Sequence, residues 1–115
     1  MGGEPNGNSG HRRRLRSRFA RSGLAGLQDY EMIELLLTYA IPRKDVKPLA
    51  RLLLERFHNI SGLLGASGQD LLAVPGIGVQ SATLIMLLRE LMCKSLEEEV
   101  RQRQIINSRQ DIVDF

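Results

Sequence analysis

The sequence predicts an all-α fold, a compact bundle of five or six short helices, and three observations carry that prediction. Apolar residues recur at three- and four-residue spacings in several segments, the signature of one buried face on a helix. No stretch shows the strict apolar–polar alternation of a half-buried strand. The breaks between periodic segments are brief and built from Pro, Gly, Asn and Asp. With 115 residues, 43% of them apolar, the chain has room for one domain with a modest core.

Residues 1–10 offer Gly, Asn, Pro and Ser where a core would need hydrocarbon, and are expected to be disordered. From His11 onward Leu15 and Phe19 stand at i, i+4 in an arginine-rich helix that Gly23 would end. Asp29 reads as the next N-cap, with Glu31 in the first turn against the positive end of the helix dipole. Met32, Leu35, Leu36 and Tyr39 then share a face, widened by Ile33 and Leu37, and the helix stops before Pro42. Asp45 caps a following helix that carries Pro48 in its first turn, where a missing N–H costs nothing. Leu49, Leu52, Leu53 and Phe57 are its buried stripe.

A short helical turn around Leu63-Leu64 comes next. Ser67 and Asp70 stand at capping-box spacing ahead of Leu71, Leu72 and Val74. The longest helix begins near Gln80, is expected to bury Ala82, Ile85, Met86, Leu88, Leu91 and Met92, and runs to about Glu99. Residues 100–115 lose the period and offer a fresh start signal at Ser108-x-x-Asp111. They read as a linker and lead-in to a further domain downstream, which leaves 11–99 as the folded unit.

Charge is mild in sum, +3, but uneven. Residues 11–21 carry Arg12, Arg13, Arg14, Arg16, Arg18 and Arg21 and no acid, a cluster suited either to a polyanion or to a solvated arm. Three Phe, two Tyr and no Trp argue against a single-strand binder built on aromatic platforms. One cysteine, Cys93, excludes an internal disulfide, and no apolar run is long enough for a bilayer, so a reduced, cytoplasmic protein is expected. His11 and His58 lie far from each other and from Cys93, so no metal site and no cofactor is expected.

The most specific signal is Leu71-Leu72-x-Val74-Pro75-Gly76-Ile77-Gly78-x-x-x-Ala82. Pro75 stops one helix. Gly76 and Gly78 permit backbone angles and close approach that a Cβ would forbid. Ile77 anchors the bend in the core, and Ala82 is small where the two helices cross. The amides freed by the bend should face outward just before the positive end of the next helix, where a phosphate oxygen is the natural occupant. Gly76, Ile77, Gly78, Gln80 and Ser81 are therefore the candidate contacts. A tight packing turn with no ligand is the plainer alternative.

These residues resemble the helix-hairpin-helix motif of DNA repair and recombination proteins, and residues 11–91 resemble the N-terminal region of the bacterial RadC family (UPF0758). The likeness rests on Arg14-Leu15-x-x-Arg18-Phe19, Gly23-Leu24, Asp29-Tyr30-Glu31, Glu34-Leu35-Leu36, the helix from Leu49 to Phe57 and Val74-Pro75-Gly76-Ile77-Gly78. It implies a SAM-like architecture, similar to the second domain of RuvA, with two helix-turn-helix units related by a pseudo-dyad. A faint internal echo agrees: Glu34-Leu35-Leu36-Leu37, the turn 41–45 and its helix repeat the order of Asp70-Leu71-Leu72, 75–78 and the last helix. On that reading Arg43, Lys44 and Lys47 supply the positive charge. The resemblance also implies a JAB/MPN metalloprotease-like domain downstream; its His-x-His motif is absent from these residues.

Departures from the motif matter. Val79, Gln80 and Ser81 stand where many such proteins place Lys or Arg, so weak, salt-sensitive binding of duplex or branched DNA is expected. Base-excision glycosylases resembling the motif use a lysine at the position of Gln80, and an amide cannot form an imine. No catalytic residue is assigned. The expectation is a sequence-independent DNA-backbone-binding accessory domain. The competing expectation is a protein-interaction or regulatory module that keeps the hairpin for packing.

Overall fold

Hydrocarbon spacing and helix caps organise the described residues into six α-helices. The computed structural model describes residues 6–113, with side-chain surroundings from residue 10 to residue 107. The helices are α1 (Asn6–Ser22), α2 (Asp29–Thr38), α3 (Lys47–Phe57), α4 (Ile60–Leu64), α5 (Gly68–Leu72) and α6 (Val79–Val113), with a 3-10 turn at Gly23–Gly26 between the first two. No strand occurs among the described residues.

Two caps differ in detail from expectation and a third agrees with it. Gln28, rather than Asp29, is the N-cap of α2, and the Glu31 carboxylate accepts from the Gln28 N–H at 2.9 Å. Val46 is the N-cap of α3, yet the Asp45 Oδ1 accepts from the Lys47 N–H at 3.0 Å, so the aspartate still quiets an orphan amide. Ser67 caps α5 as its spacing predicts, its Oγ accepting from the Asp70 N–H at 3.0 Å.

The core gathers Ile33 and Leu37 of α2, Val46, Ala50 and Leu53 at α3, Leu63, Leu71, Val74 and Ile77, and closes on Ala82 and Ile85 of α6. α2 packs on α3, while α4 and α5 pack on α6.

α1 joins this bundle through one fully buried leucine, Leu15, and three polar links. His11 Nε2 lies 2.8 Å from Glu34 Oε2. Arg18 donates to both carboxylate oxygens of Glu31, at 2.9 and 3.0 Å, and to the Gly26 carbonyl at 2.8 Å. That guanidinium holds the Glu31 carboxyl below the usual carboxylate range. Arg12 donates to the carbonyls of Thr38, Ile41 and Lys44, at 3.1, 2.7 and 2.6 Å.

Two expectations need correction at the ends. Residues 6–10 belong to α1 rather than to a disordered segment; residues 1–5 lie outside the described residues. α6 does not stop near Glu99 but runs unbroken for 35 residues through the stretch read as a linker. Apolar period was the wrong guide there. Glu, Gln, Arg and Leu favour the helix intrinsically, and Lys94–Glu98 (3.5 Å) and Glu97–Arg101 (3.7 Å) are i, i+4 ion pairs.

The same extension overturns part of the predicted core. Met86, Leu91 and Met92 are exposed, at 38, 56 and 47%, and residues 90–107 are exposed throughout. α6 packs on the bundle through its first turns, where Ser81, Ala82 and Ile85 are buried, and among the described residues its exposure is continuous from Glu90 onward.

Candidate nucleic-acid interface

Pro75 to Gly78 forms a tight bend whose parts divide the work unequally. The Ile77 N–H donates to the Val74 carbonyl at 3.1 Å, closing the turn, and the Ile77 side chain is buried. Gly76 sits at φ +97°, the left-handed region, and a Cβ there would come 3.2 Å from Leu49 Cδ1 of α3. Gly78 is different. Its φ is not positive, and a Cβ built on it meets nothing within 4 Å. The expectation that both glycines are needed for the backbone therefore holds for Gly76 and fails for Gly78.

The Gly78 carbonyl accepts the first i→i−4 bond of α6, from the Ala82 N–H at 3.0 Å. Val79, Gln80 and Ser81 thus hold the first-turn amides, which have no intrahelical acceptor, at the positive end of the helix. Two candidate contacts change their meaning. The Ile77 amide, expected to be free, is already bonded within the chain. Ser81 is buried at 3% exposure, so it meets the cleft only at its edge, whereas Gln80 is exposed.

Opposite the bend lies the turn between α2 and α3. The two turns face each other across a cleft of about 620 Å³, bordered on one side by Ile41, Lys44, Asp45 and Leu49 and on the other by Gly76, Gly78, Gln80 and Ser81. The two segments paired by the internal echo therefore share one concavity. Of the three basic residues predicted beside the turn, only Lys44 borders it. Arg43 is exposed elsewhere on the turn, and Lys47 borders a separate groove with Pro48, Arg51 and Glu55.

Sequence reasoning missed two contributors. Asp45, read only as a cap, brings a carboxylate to the rim of the cleft. Arg12, read only as part of a charge run, ties down the Lys44 turn through carbonyls up to 32 positions away. No local pattern could have announced a contact of that range. The assembled cleft brings one ammonium and the residues that carry the first-turn amides, donors able to hold an anionic oxygen, together with one opposing carboxylate.

An all-α domain in which the turn between α2 and α3 and the bend before α6 line a common cleft is the class that this geometry defines. The chain belongs to the UPF0758 family: the family model described as UPF0758 N-terminal matches residues 8–83. It is 41% identical over 100 residues to a UPF0758 protein of Fusobacterium nucleatum, covering 87% of this chain and 43% of that protein. It is 43% identical over 105 residues to a UPF0758 protein of Ruegeria pomeroyi, covering 91% of this chain and 47% of that one. The chain thus spans less than half the length of these relatives. No solved structure matches it significantly.

Proposed function

We propose that this domain binds the sugar–phosphate backbone of duplex or branched DNA without reading base sequence, as the non-catalytic accessory part of a cytoplasmic DNA repair protein of the RadC type. The observation that carries this reading is the juxtaposition, across one cleft, of the first-turn amides of α6 and the Lys44 side chain. In this reading Pro75–Gly78 is a helix-hairpin-helix loop. A phosphate oxygen accepts from amides at the start of α6 and from the Gln80 side chain, while Lys44 supplies the charge. Gly78 carries no Cβ because the ligand, not the protein, fills the space above it. Arg43 and Lys47, outside the cleft, act through the screened field alone. Any chemistry of the longer protein belongs to the JAB/MPN metalloprotease-like domain that the resemblance places downstream.

So few cationic contacts, with Asp45 opposing them, make binding weak and steeply salt-dependent. Fluorescence anisotropy with labelled duplex and four-way junction at about 50 mM salt tests this, where binding should be tighter than the roughly 10⁻⁴–10⁻⁶ M of non-specific binders at physiological salt. Gly78→Ala should weaken binding without loss of fold, and Lys44→Gln should flatten the salt slope by about 0.9. Absence of binding to both DNAs at that salt would sink the proposal.

A second reading, a protein-interaction module, is favoured by one feature: Leu91, Met92, Leu96 and Val100 are all exposed on the projecting half of α6. Retention of one specific protein partner after nuclease treatment, together with DNA binding indifferent to Gly78→Ala, would favour it over the first.

A further inference from the structure

The six arginines of residues 11–21 do not form one class in the folded protein. Arg12 and Arg18 face the bundle and are consumed there, Arg12 by three main-chain carbonyls and Arg18 by Glu31 and the Gly26 carbonyl. Arg13 and Arg16 are exposed, and among the described residues no ion pair or side-chain hydrogen bond includes either. Helix geometry makes them i, i+3 neighbours, about 4.5 Å apart along the axis. Arg16 also stands one turn beyond Arg12, whose guanidinium touches the Lys44 carbonyl at the wall of the cleft. Like charges at this spacing cost a helix a few tenths of a kcal/mol, and nothing within the bundle offsets that cost.

We infer that Arg13 and Arg16 on the outer face of α1 continue the Lys44 side of the cleft as a second phosphate-binding surface for the same DNA, with Arg12 as the positioning residue that keeps the two surfaces in register. This rests on the backbone-binding reading proposed above and extends it from one phosphate site to a path. Two neighbouring guanidinium forks on long side chains can each take one phosphate of the same strand. A membrane surface is the other polyanion to consider. Arg13, Arg16, Ser17 and Ala20 share the outer face of α1, and Phe19, 44% exposed one turn beyond Arg16, is a single apolar anchor rather than the broad apolar face that an interfacial helix buries among lipids. Asp45 is the acid nearest this path in the turn, and its Oδ1 is already engaged by the Lys47 N–H.

The test is the salt dependence of duplex binding by the whole chain, for the wild type, Arg13→Gln/Arg16→Gln, Arg13→Lys/Arg16→Lys and Gly78→Ala. The glutamine pair should flatten the slope of log K against log salt by about 1.8, two phosphates at ~0.9 each. The lysine pair should keep the slope, since counterion release counts charge, and both pairs should melt like the wild type because the sites are exposed. An unchanged slope in the glutamine pair, with Gly78→Ala still weakening binding, overturns this inference and leaves the cleft reading standing. Slope loss with Gly78→Ala silent overturns the shared path and the cleft reading together. Equal weakening of binding to vesicles of phosphatidylglycerol and phosphatidylcholine in equal parts also overturns it, in favour of a lipid surface.

Discussion

Gly76 and Gly78 sit two residues apart and carry opposite constraints. At Gly76 the left-handed φ and the nearness of Leu49 mean that an added methyl group strains the fold. Gly76→Ala should lower unfolding free energy by about 1–2 kcal/mol in urea denaturation. At Gly78 the space is open, and Gly78→Ala should stay within about 0.5 kcal/mol of the wild type. Comparable destabilisation by both changes would refute this division. The sequence made both positions conspicuous as glycines but could not separate them. That distinction depends on Leu49, which arrives from a helix 27 positions earlier. Ser81 shows the same limit: whether its hydroxyl meets solvent or the bundle is decided by the roll of α6 at its first turn.

Along a whole element, α6 joins two regimes. Its first turns are clamped by Ala82 and Ile85, whereas residues 90–107 have only their own ladder and the i, i+4 ion pairs to hold them. Helix without tertiary support is marginal in water, so amide hydrogen exchange should be slow at Ile85 and fast beyond Glu90. Ending the chain after Glu90 should remove helical circular dichroism yet leave the melting midpoint almost unmoved. A drop of more than a few degrees would show that the projection is packed after all. The pattern of short helices from α2 to α5 was legible because each has a buried stripe and a cap. The far half of α6 was not, because it buries nothing and its helicity comes from residue propensity.

At the scale of the molecule, α1 is attached to the bundle by polar links around one leucine, and acid should loosen that attachment. Glu31 has a folded-state value below its ordinary 4.5, held down first by the Arg18 hydrogen bonds. Its contribution to stability is complete above the ordinary value and is lost as pH falls through the lowered one. Melting temperature should therefore fall on acidification below about pH 4.5, with a shallower fall in Glu31→Gln. Parallel profiles for the two proteins would place the acid sensitivity elsewhere. The sequence showed six arginines as a single run; only the fold sorts them into rivets and exposed cations, since the sorting is done by α2 and the turn beyond it.

The Arg12 clamp grips main-chain oxygens alone. The contour of the loop it holds is therefore indifferent to which side chains the loop displays at Arg43 and Lys44. A clamp of that kind makes the loop an interchangeable cassette: its outward chemistry can drift or be rewritten, acidic for basic, while the scaffold beneath keeps its shape.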